Sequence, residues 1–362
     1  MKKIILALLV LNVFVANAQQ YPPVTIPGSE VRKITSSIVA GQEYELQILL
    51  PAGYGESNKK YPVVYLMDSQ WDFPNVKSIY GQQYFDGFIP ELIIVGVTWG
   101  GIHPNPDSLR ARDYTPTKEG RLQQSGGANQ FLDFMKTELF PFIESNYKAD
   151  ADNRTLMGCS LGGLFTLYTL YTHTEMFTGY VAASPAIGWD KEVMYQYEKT
   201  FSEKNLSKRI RVYSTVGDVE MGRPAYEKFA NKMLGRNYSN VNLLSKVLEN
   251  TGHSGTKSET YSRGLQFVFE KNRLSLSDPI LKKYVGTYRS ANGISVEIKS
   301  EGNQLYSYFS PQNKVALYAN TETHLYATHE FFNLYFKEKN GQAEGFDWVR
   351  YGNSQFVKKV IR

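Results

Sequence analysis

The sequence contains little cysteine and little histidine. Cys159 is the only cysteine in the 362 residues, so an internal disulfide is excluded and stability has to come from a large core. The five histidines are accompanied by no H-E-x-x-H motif and no cysteine–histidine cluster. The sequence therefore gives no support for a metal site, and we expect neither a metal nor an organic cofactor.

Basic clusters and long apolar runs are also missing. The formal net charge is +5, but lysines and arginines occur singly or in pairs, which argues against nucleic-acid binding. Beyond the N-terminus, no apolar run approaches the roughly 18 residues typical of a transmembrane helix. The sequence instead contains 42% hydrophobic residues, with 26 Tyr and 20 Phe, a composition typical of a globular protein with a sizeable core.

The N-terminus has the pattern of a secretory signal peptide. Lys2 and Lys3 precede the apolar stretch 4–15, and Ala16-Asn17-Ala18 follows as a small-x-small cleavage site. The apolar stretch is shorter than the roughly 20 residues needed to span a bilayer. We therefore predict cleavage after Ala18, no membrane insertion of the mature chain, and a periplasmic or secreted location.

The region 19–272 predicts an α/β fold. Continuous apolar runs at 61–67 and 91–98 are typical of strands buried on both faces, and further strand-like segments alternate with helical ones. Apolar residues recur at helical spacing between 130 and 147, where Pro141 predicts a kink or a break. This alternation indicates a mostly parallel sheet with helices on both faces.

The character of the sequence changes near the C-terminus. Residues 273–280 (RLSLSDPI) have the composition of a linker, and 281–362 consists of short alternating runs separated by Gly and Asn. We expect four segments: a signal peptide at 1–18, an α/β domain at 19–272, the linker, and a small antiparallel β-domain.

The clearest chemical motif surrounds Ser160. The run Gly158-Cys159-Ser160-Leu161-Gly162 matches G-x-S-x-G, with the strand-like RTLM before it and the helix-like GLFTLYTLY after it. This is the context of a nucleophile elbow, a sharp strand-to-helix turn that exposes the serine hydroxyl. The alternative is a glycine-rich turn with an incidental serine.

A serine nucleophile needs a base, and the base needs a carboxylate. His253 is the best candidate, because it follows Ser160 in the chain and lies in the loop ENTGHSG after a strand-like segment. The acid is predicted in Gly217-Asp218-Val219-Glu220, where Asp218 and Glu220 both qualify. We favour Glu220, three residues after the glycine, and keep Asp218 as the alternative acid.

Several ordered segments resemble the putative-esterase family of α/β-hydrolases. That family includes esterase D, feruloyl esterases, periplasmic siderophore esterases and the antigen 85 mycolyltransferases. The segments are YELQILLPAGY, YPVVYLMDSQWDF, RARDYTP, GCSLGG, ASPAIGWD, VGDVE and TGHSG. The resemblance implies an eight-stranded, mostly parallel sheet and a triad of Ser160, Glu220 and His253. It also implies an oxyanion hole formed by the backbone N–H groups of Leu161 and Gln70.

These residues predict a serine carboxylesterase working through an acyl-enzyme. A siderophore ester, a feruloyl ester or an acetylated polysaccharide would be the substrate, and an acyltransferase or an inactive, ligand-binding hydrolase fold are the alternatives. Trp71 and Trp189 are candidates for stacking on the substrate, or are core residues. Arg112 is a candidate for contacting an anionic substrate, or forms a structural pair with Asp113.

Overall fold

A computed structural model describes residues 25–55, 58–329 and 331–360. The predicted signal peptide lies outside the described residues. None of the helices within these three ranges is both long and apolar enough to cross a membrane.

The larger, N-terminal part of the described chain is built on an eight-stranded sheet in the order β1-β2-β4-β3-β5-β6-β7-β8. Its strands are Ser29–Thr35 (β1), Glu43–Leu49 (β2), Tyr61–Leu66 (β3), Ile93–Trp99 (β4), Ala149–Cys159 (β5), Gly179–Ala183 (β6), Ile210–Gly217 (β7) and Val241–Leu248 (β8). The first two strands are antiparallel to their neighbours, and all the other pairs are parallel. The predicted α/β-hydrolase sheet is therefore confirmed.

Helices cover both faces of this sheet, as the sequence predicted. They are Ser69–Phe85 (α1), Pro106–Tyr114 (α2), Ala128–Phe134 (α3), Phe140–Asn146 (α4), Leu161–Thr172 (α5), Met194–Phe201 (α6), Arg223–Leu234 (α7) and Thr256–Val268 (α8). Side chains of α1 and α8, such as Val76 and Leu265, form the core on one face. Side chains of the helices from α3 to α7, such as Phe131 and Phe229, form the core on the other. The loops at the ends of the strands therefore extend from a sheet that is packed on both faces.

The helical region predicted at 130–147 contains a π-helical turn just before Pro141. This turn, Met135–Leu139, separates α3 from α4, and Pro141 lies in the first turn of α4. The backbone angles of Phe134, Met135, Leu139 and Phe140 are all helical, so the helix continues through the π-turn without a break. The π-turn shifts the hydrogen-bond register ahead of Pro141, which has no N–H to donate.

Two segments that carry candidate residues or family motifs form helices. Trp71 and Phe73 lie in α1, and the RARDY part of RARDYTP lies in α2. The start of α2 carries a recognisable signal, because the Asn105 side chain accepts a hydrogen bond from Ser108 N (3.2 Å) and Pro106 follows at the first helical position. The buried face of α1 carries the polar Ser69 and Asp72, and its exposed side carries Trp71, so hydrophobicity does not distinguish the two faces of this helix.

The C-terminal part is a closed antiparallel β-barrel. Its strands are Gly286–Ser290 (β9), Ser295–Glu301 (β10), Gln304–Ser310 (β11), Asn313–Ala319 (β12), His324–Tyr326 (β13), Asn333–Lys339 (β14), Gln342–Arg350 (β15) and Asn353–Lys359 (β16). The first strand, β9, pairs with both β10 and β16, which closes the sheet. The predicted antiparallel β-domain is confirmed, and its closure removes exposed strand edges.

The segment predicted as a linker is structured at both of its ends. Leu274 N donates a hydrogen bond to Ala319 O (2.8 Å), and a short helix, Asp278–Tyr284 (α9), begins within the segment. Leu281 and Tyr284 of α9 are buried in the barrel core. Leu276 and Ile280 of the segment also pack against the barrel core, which the Ser- and Pro-containing composition did not reveal.

Lys271 lies where the hydrolase domain meets the barrel, and it gives a testable pH dependence. Its ammonium group donates to Gly87 O and lies 5.2 Å from the centre of the Tyr326 ring, and burial lowers the pKa of Lys271 to about 8. The unfolded chain keeps this lysine protonated up to about pH 10.4. Between about pH 8 and about pH 10.4 the unfolded state binds more protons than the folded state, so the free energy of unfolding rises with pH.

We therefore expect the unfolding free energy of the wild type to rise relative to that of Lys271→Met above pH 8. The rise should approach about 1.4 kcal/mol per pH unit, as linkage requires for one proton. Urea unfolding at pH 7, 8, 9 and 10 measures it, with Lys60→Met as an exposed-lysine control. Parallel pH curves for the wild type and Lys271→Met would contradict the assignment.

Candidate functional site

Ser160 occupies a strained turn between β5 and α5. Its backbone angles are φ 59° and ψ −117°, a region that side-chain-bearing residues rarely adopt. Neighbouring glycines make the turn possible: a Cβ on Gly158 would lie 2.6 Å from the carbonyl carbon of Gly162, and one on Gly163 would lie 2.8 Å from Ala183 O. The G-x-S-x-G segment therefore has the predicted nucleophile-elbow geometry.

The structure places Glu220 against His253. Glu220 Oε2 lies 2.6 Å from His253 Nδ1, with Glu220 largely buried and His253 half exposed. Because an ionised carboxylate can only accept, Nδ1 carries the hydrogen, and Nε2 is left as the basic nitrogen. This is the tautomer that a general base for a serine hydroxyl requires.

The Glu220 carboxylate is held in its ionised form. Its other oxygen, Oε1, accepts hydrogen bonds from Ser184 Oγ (2.6 Å) and from Gly217 N (2.7 Å). Burial acts to raise the pKa of Glu220, but these bonds and the contact with His253 outweigh burial, and the pKa is lowered. The carboxylate is therefore available to stabilise an imidazolium.

Asp218, the alternative acid, has a different role in the structure. Its Oδ1 accepts a hydrogen bond from Thr251 N (3.0 Å), and backbone N–H groups of Thr251 and Asn250 lower its pKa. Asp218 thus fixes the start of the loop that carries His253. At Gly217 an added Cβ would lie 2.0 Å from Thr251 O, so only glycine allows this close approach of β7 to the loop.

Backbone contacts bring the elbow next to the acid. Ser160 N donates to Ala183 O (3.0 Å), and Ala186 N donates to Ser160 O (3.2 Å). Ser184, which bonds to Glu220, lies between these two contacts in the chain. The ends of β5, β6 and β7 thus converge on one edge of the sheet, where α/β proteins form their sites.

The predicted oxyanion donors lie at the first turns of two helices. Leu161 is the first residue of α5 and Gln70 is the second residue of α1, where backbone N–H groups have no partner within their own helix. An added Cβ on Gly162 would lie 3.2 Å from Asp68 Oδ2, so the turn before α1 packs directly on the elbow. This arrangement suits two N–H groups that converge on a developing negative charge.

A buried ion pair fixes the turn that carries Gln70. Arg110 Nε and Nη2 donate to Asp68 Oδ1 (3.1 Å) and Oδ2 (2.7 Å), and Asp68 is only 2% exposed. Burial raises the pKa of Asp68, and the hydrogen bonds from Arg110 oppose this rise. Neither residue was assigned this role by the sequence analysis, although a carboxylate directly after a buried strand is a signal that a partner cation is needed.

Removing the arginine should therefore be costly. Arg110→Met leaves the Asp68 carboxylate buried without its partner, and we expect a loss of about 3–5 kcal/mol in unfolding free energy. Urea denaturation measures the loss, and Arg121→Met, at an exposed arginine, is the matched control. Equal stability of the two variants would contradict the structural importance of the pair.

The aromatic candidates separate into exposed and core residues. Trp71 is half exposed on α1, and the Arg110 guanidinium lies 5.7 Å from the centre of its ring. Trp189 is partly buried in the turn after β6, where its Nε1 donates to Thr117 Oγ1 (3.1 Å). Phe73 of α1 and Trp99 of β4 are buried in the core. Trp71 is therefore the most exposed of these four aromatic side chains.

Arg112 is engaged within the protein. Its Nε and Nη2 donate to the two carboxylate oxygens of Asp113 (2.7 and 2.9 Å), and Asp113 also accepts from Tyr44 and Trp99. This network favours the structural alternative over contact with a substrate.

The sheet topology and the Ser160 turn beside a carboxylate–histidine pair define an α/β-hydrolase. A family model described as "Putative esterase" matches residues 36–250, more than half of the chain, and the chain belongs to this family. The family and the relatives below support an esterase, a hydrolase of esters, as the class of activity.

Two relatives and one solved structure are particularly similar. The ferri-bacillibactin esterase BesA of Bacillus subtilis is 32% identical over 231 residues, covering 57% of this chain and 78% of that protein. The apo-salmochelin esterase of Escherichia coli is 30% identical over 137 residues, covering 35% of this chain and 42% of that protein. The crystal structure of the BES protein from Bacillus cereus has a TM-score of 0.63 and 27% identity, covering 69% of this chain and 97% of that one.

Proposed function

We propose that this protein is a secreted serine carboxylesterase that hydrolyses a siderophore ester through an acyl-enzyme. The observation that carries the proposal is the 2.6 Å contact between Glu220 and His253 beside the strained turn of Ser160. The relatives named as siderophore esterases support the substrate class. The predicted signal peptide supports action outside the cytoplasm.

The chemistry follows from the roles of the three residues. Ser160 Oγ attacks the ester carbonyl while His253 Nε2 takes its proton, and Glu220 stabilises the resulting imidazolium. The backbone N–H groups of Leu161 and Gln70 stabilise the oxyanion. The imidazolium then gives its proton to the departing alkoxide, which leaves as the alcohol. Water, deprotonated by His253, attacks the acyl-enzyme and releases the acid, and the proton returns to Ser160.

The surroundings of the site fit a substrate with planar aromatic groups. The half-exposed indole of Trp71, with the Arg110 guanidinium over it, offers a flat face near the turn that carries Gln70. Catechol rings of a siderophore or the ring of a feruloyl group would stack there, whereas an acetyl group would not.

Hydrolysis of three ester classes tests the proposal. A tris-catecholate trilactone with and without iron, a feruloyl sugar ester and acetylated xylan are incubated with the enzyme, and products are followed by mass spectrometry. We expect the highest kcat/KM for a trilactone. Preference for either sugar ester would overturn the substrate assignment. Transfer of the acyl group to an added alcohol in preference to water would overturn the hydrolase assignment.

A further inference from the structure

Ser184 has a backbone conformation that favours glycine. Its φ is 38°, in the left-handed region, and the residue is only 3% exposed at the end of β6. Its N–H donates to Thr215 O (2.8 Å), so the backbone is held in place by the sheet. A serine in this conformation costs stability that a glycine would not, which points to a role for its hydroxyl group.

That hydroxyl belongs to a ring of close polar contacts around the Glu220–His253 pair. Ser184 Oγ lies 2.6 Å from Glu220 Oε1 and 2.9 Å from Thr256 Oγ1, and Thr256 Oγ1 lies 2.8 Å from His253 O. The direct contact between His253 Nδ1 and Glu220 Oε2 completes the ring. Thr256 is fully buried at the first position of α8.

The hydroxyl protons fix which group donates to Glu220, and they are too few to serve every contact in the ring. An ionised carboxylate and a carbonyl oxygen can only accept, so Ser184 donates to Glu220. Thr256 has one proton for two acceptors, Ser184 Oγ and His253 O. The Thr256 hydroxyl therefore couples the carboxylate side of the pair to the backbone of the histidine.

We propose that Ser184 and Thr256 are positioning residues for the Glu220–His253 pair, an inference that rests on the proposed esterase function. Ser184 holds the carboxylate so that Oε2 faces His253 Nδ1. Thr256 fixes the backbone of His253 and thereby places its ring where Nδ1 meets Glu220 Oε2. Neither residue touches the substrate.

Ser184→Gly separates this role from a structural one. Glycine removes the hydroxyl and also relieves the left-handed strain, so the melting temperature should stay the same or rise. Loss of a hydrogen bond to a charged group should lower kcat on p-nitrophenyl acetate by about 10- to 100-fold, with KM unchanged. A kcat within twofold of the wild type, or a fall in kcat matched by a fall in melting temperature, would overturn the proposal for Ser184.

A second comparison tests Thr256. Thr256→Val removes the hydroxyl at nearly constant volume and should lower kcat by about tenfold. Thr256→Ser restores the hydroxyl and should recover most of that loss. Thr169→Val is the matched control, because Thr169 is equally buried and donates to Phe165 O (2.8 Å) away from the pair. Equal kcat for Thr256→Val and Thr169→Val would overturn the role of Thr256.

A spectroscopic readout is independent of activity. The proton shared by His253 Nδ1 and Glu220 should give a low-field NMR resonance in the wild type, and Ser184→Gly and Thr256→Val should shift or broaden it. An unchanged resonance in both variants would overturn the inference even in an active enzyme. An inactive wild type that keeps the resonance and its sensitivity would contradict only the proposed function.

Discussion

Ser160→Ala should reduce ester hydrolysis by about 10⁶-fold in kcat, because no acyl-enzyme can form without the nucleophile. The remaining rate would come from substrate binding and the two N–H groups of Leu161 and Gln70. The alanine keeps the Cβ that the turn already accommodates at φ 59°, so the fold should be unaffected.

The measurement is kcat on p-nitrophenyl acetate, with circular dichroism to confirm folding. Ser145→Ala is a suitable control, because Ser145 is an exposed serine on α4 whose hydroxyl donates to Phe142 O (3.1 Å). The control should keep wild-type activity. A Ser160→Ala variant retaining more than a tenth of the wild-type rate would contradict the role of this serine.

Glu220→Gln should lower kcat by about 10⁴-fold, as expected when the carboxylate that selects the histidine tautomer is replaced by an amide. The amide can present its NH₂ group to Nδ1, which would move the ring hydrogen to Nε2 and abolish the base. Because glutamine has the shape of glutamate, the contacts with Ser184 and Gly217 should preserve the local fold.

Asp218→Asn is the decisive comparison for the choice of acid. Its amide oxygen can still accept the hydrogen bond from Thr251 N, so we expect kcat within a fewfold of the wild type. Steady-state kinetics of the two variants, measured side by side, distinguishes them. A larger loss in Asp218→Asn than in Glu220→Gln would reverse the assignment.

The sequence predicted the parts of the fold that depend on local pattern. Apolar runs such as 61–67 became buried strands, and the strand-to-helix context of Ser160 became a strained turn. Pattern could not predict α1, whose buried face mixes the polar Ser69 and Asp72 with apolar side chains and whose exposed side carries Trp71. Nor could it predict barrel closure, because the pairing of β9 with β16 joins strands far apart in the chain.

In the candidate site, too, some residues could be predicted from the sequence and others could not. The order of serine, acid and histidine and the chemistry of each residue indicated Ser160 and His253. Glu220 and Asp218 are two residues apart, and only the path of the backbone after Gly217 determines which one meets His253. Ser184 and the Asp68–Arg110 pair escaped notice because their contacts cross 36 and 42 positions of sequence.

The central claim is that Ser160 is a nucleophile activated by His253, and covalent labelling tests it most directly. The wild type is treated with a fluorophosphonate, digested, and analysed by mass spectrometry. The account predicts one adduct per chain, on the peptide containing Ser160, and slow or no labelling in His253→Ala. Ester hydrolysis accompanied by an adduct on another serine, or by labelling of Ser160 at the same rate in His253→Ala, would contradict it.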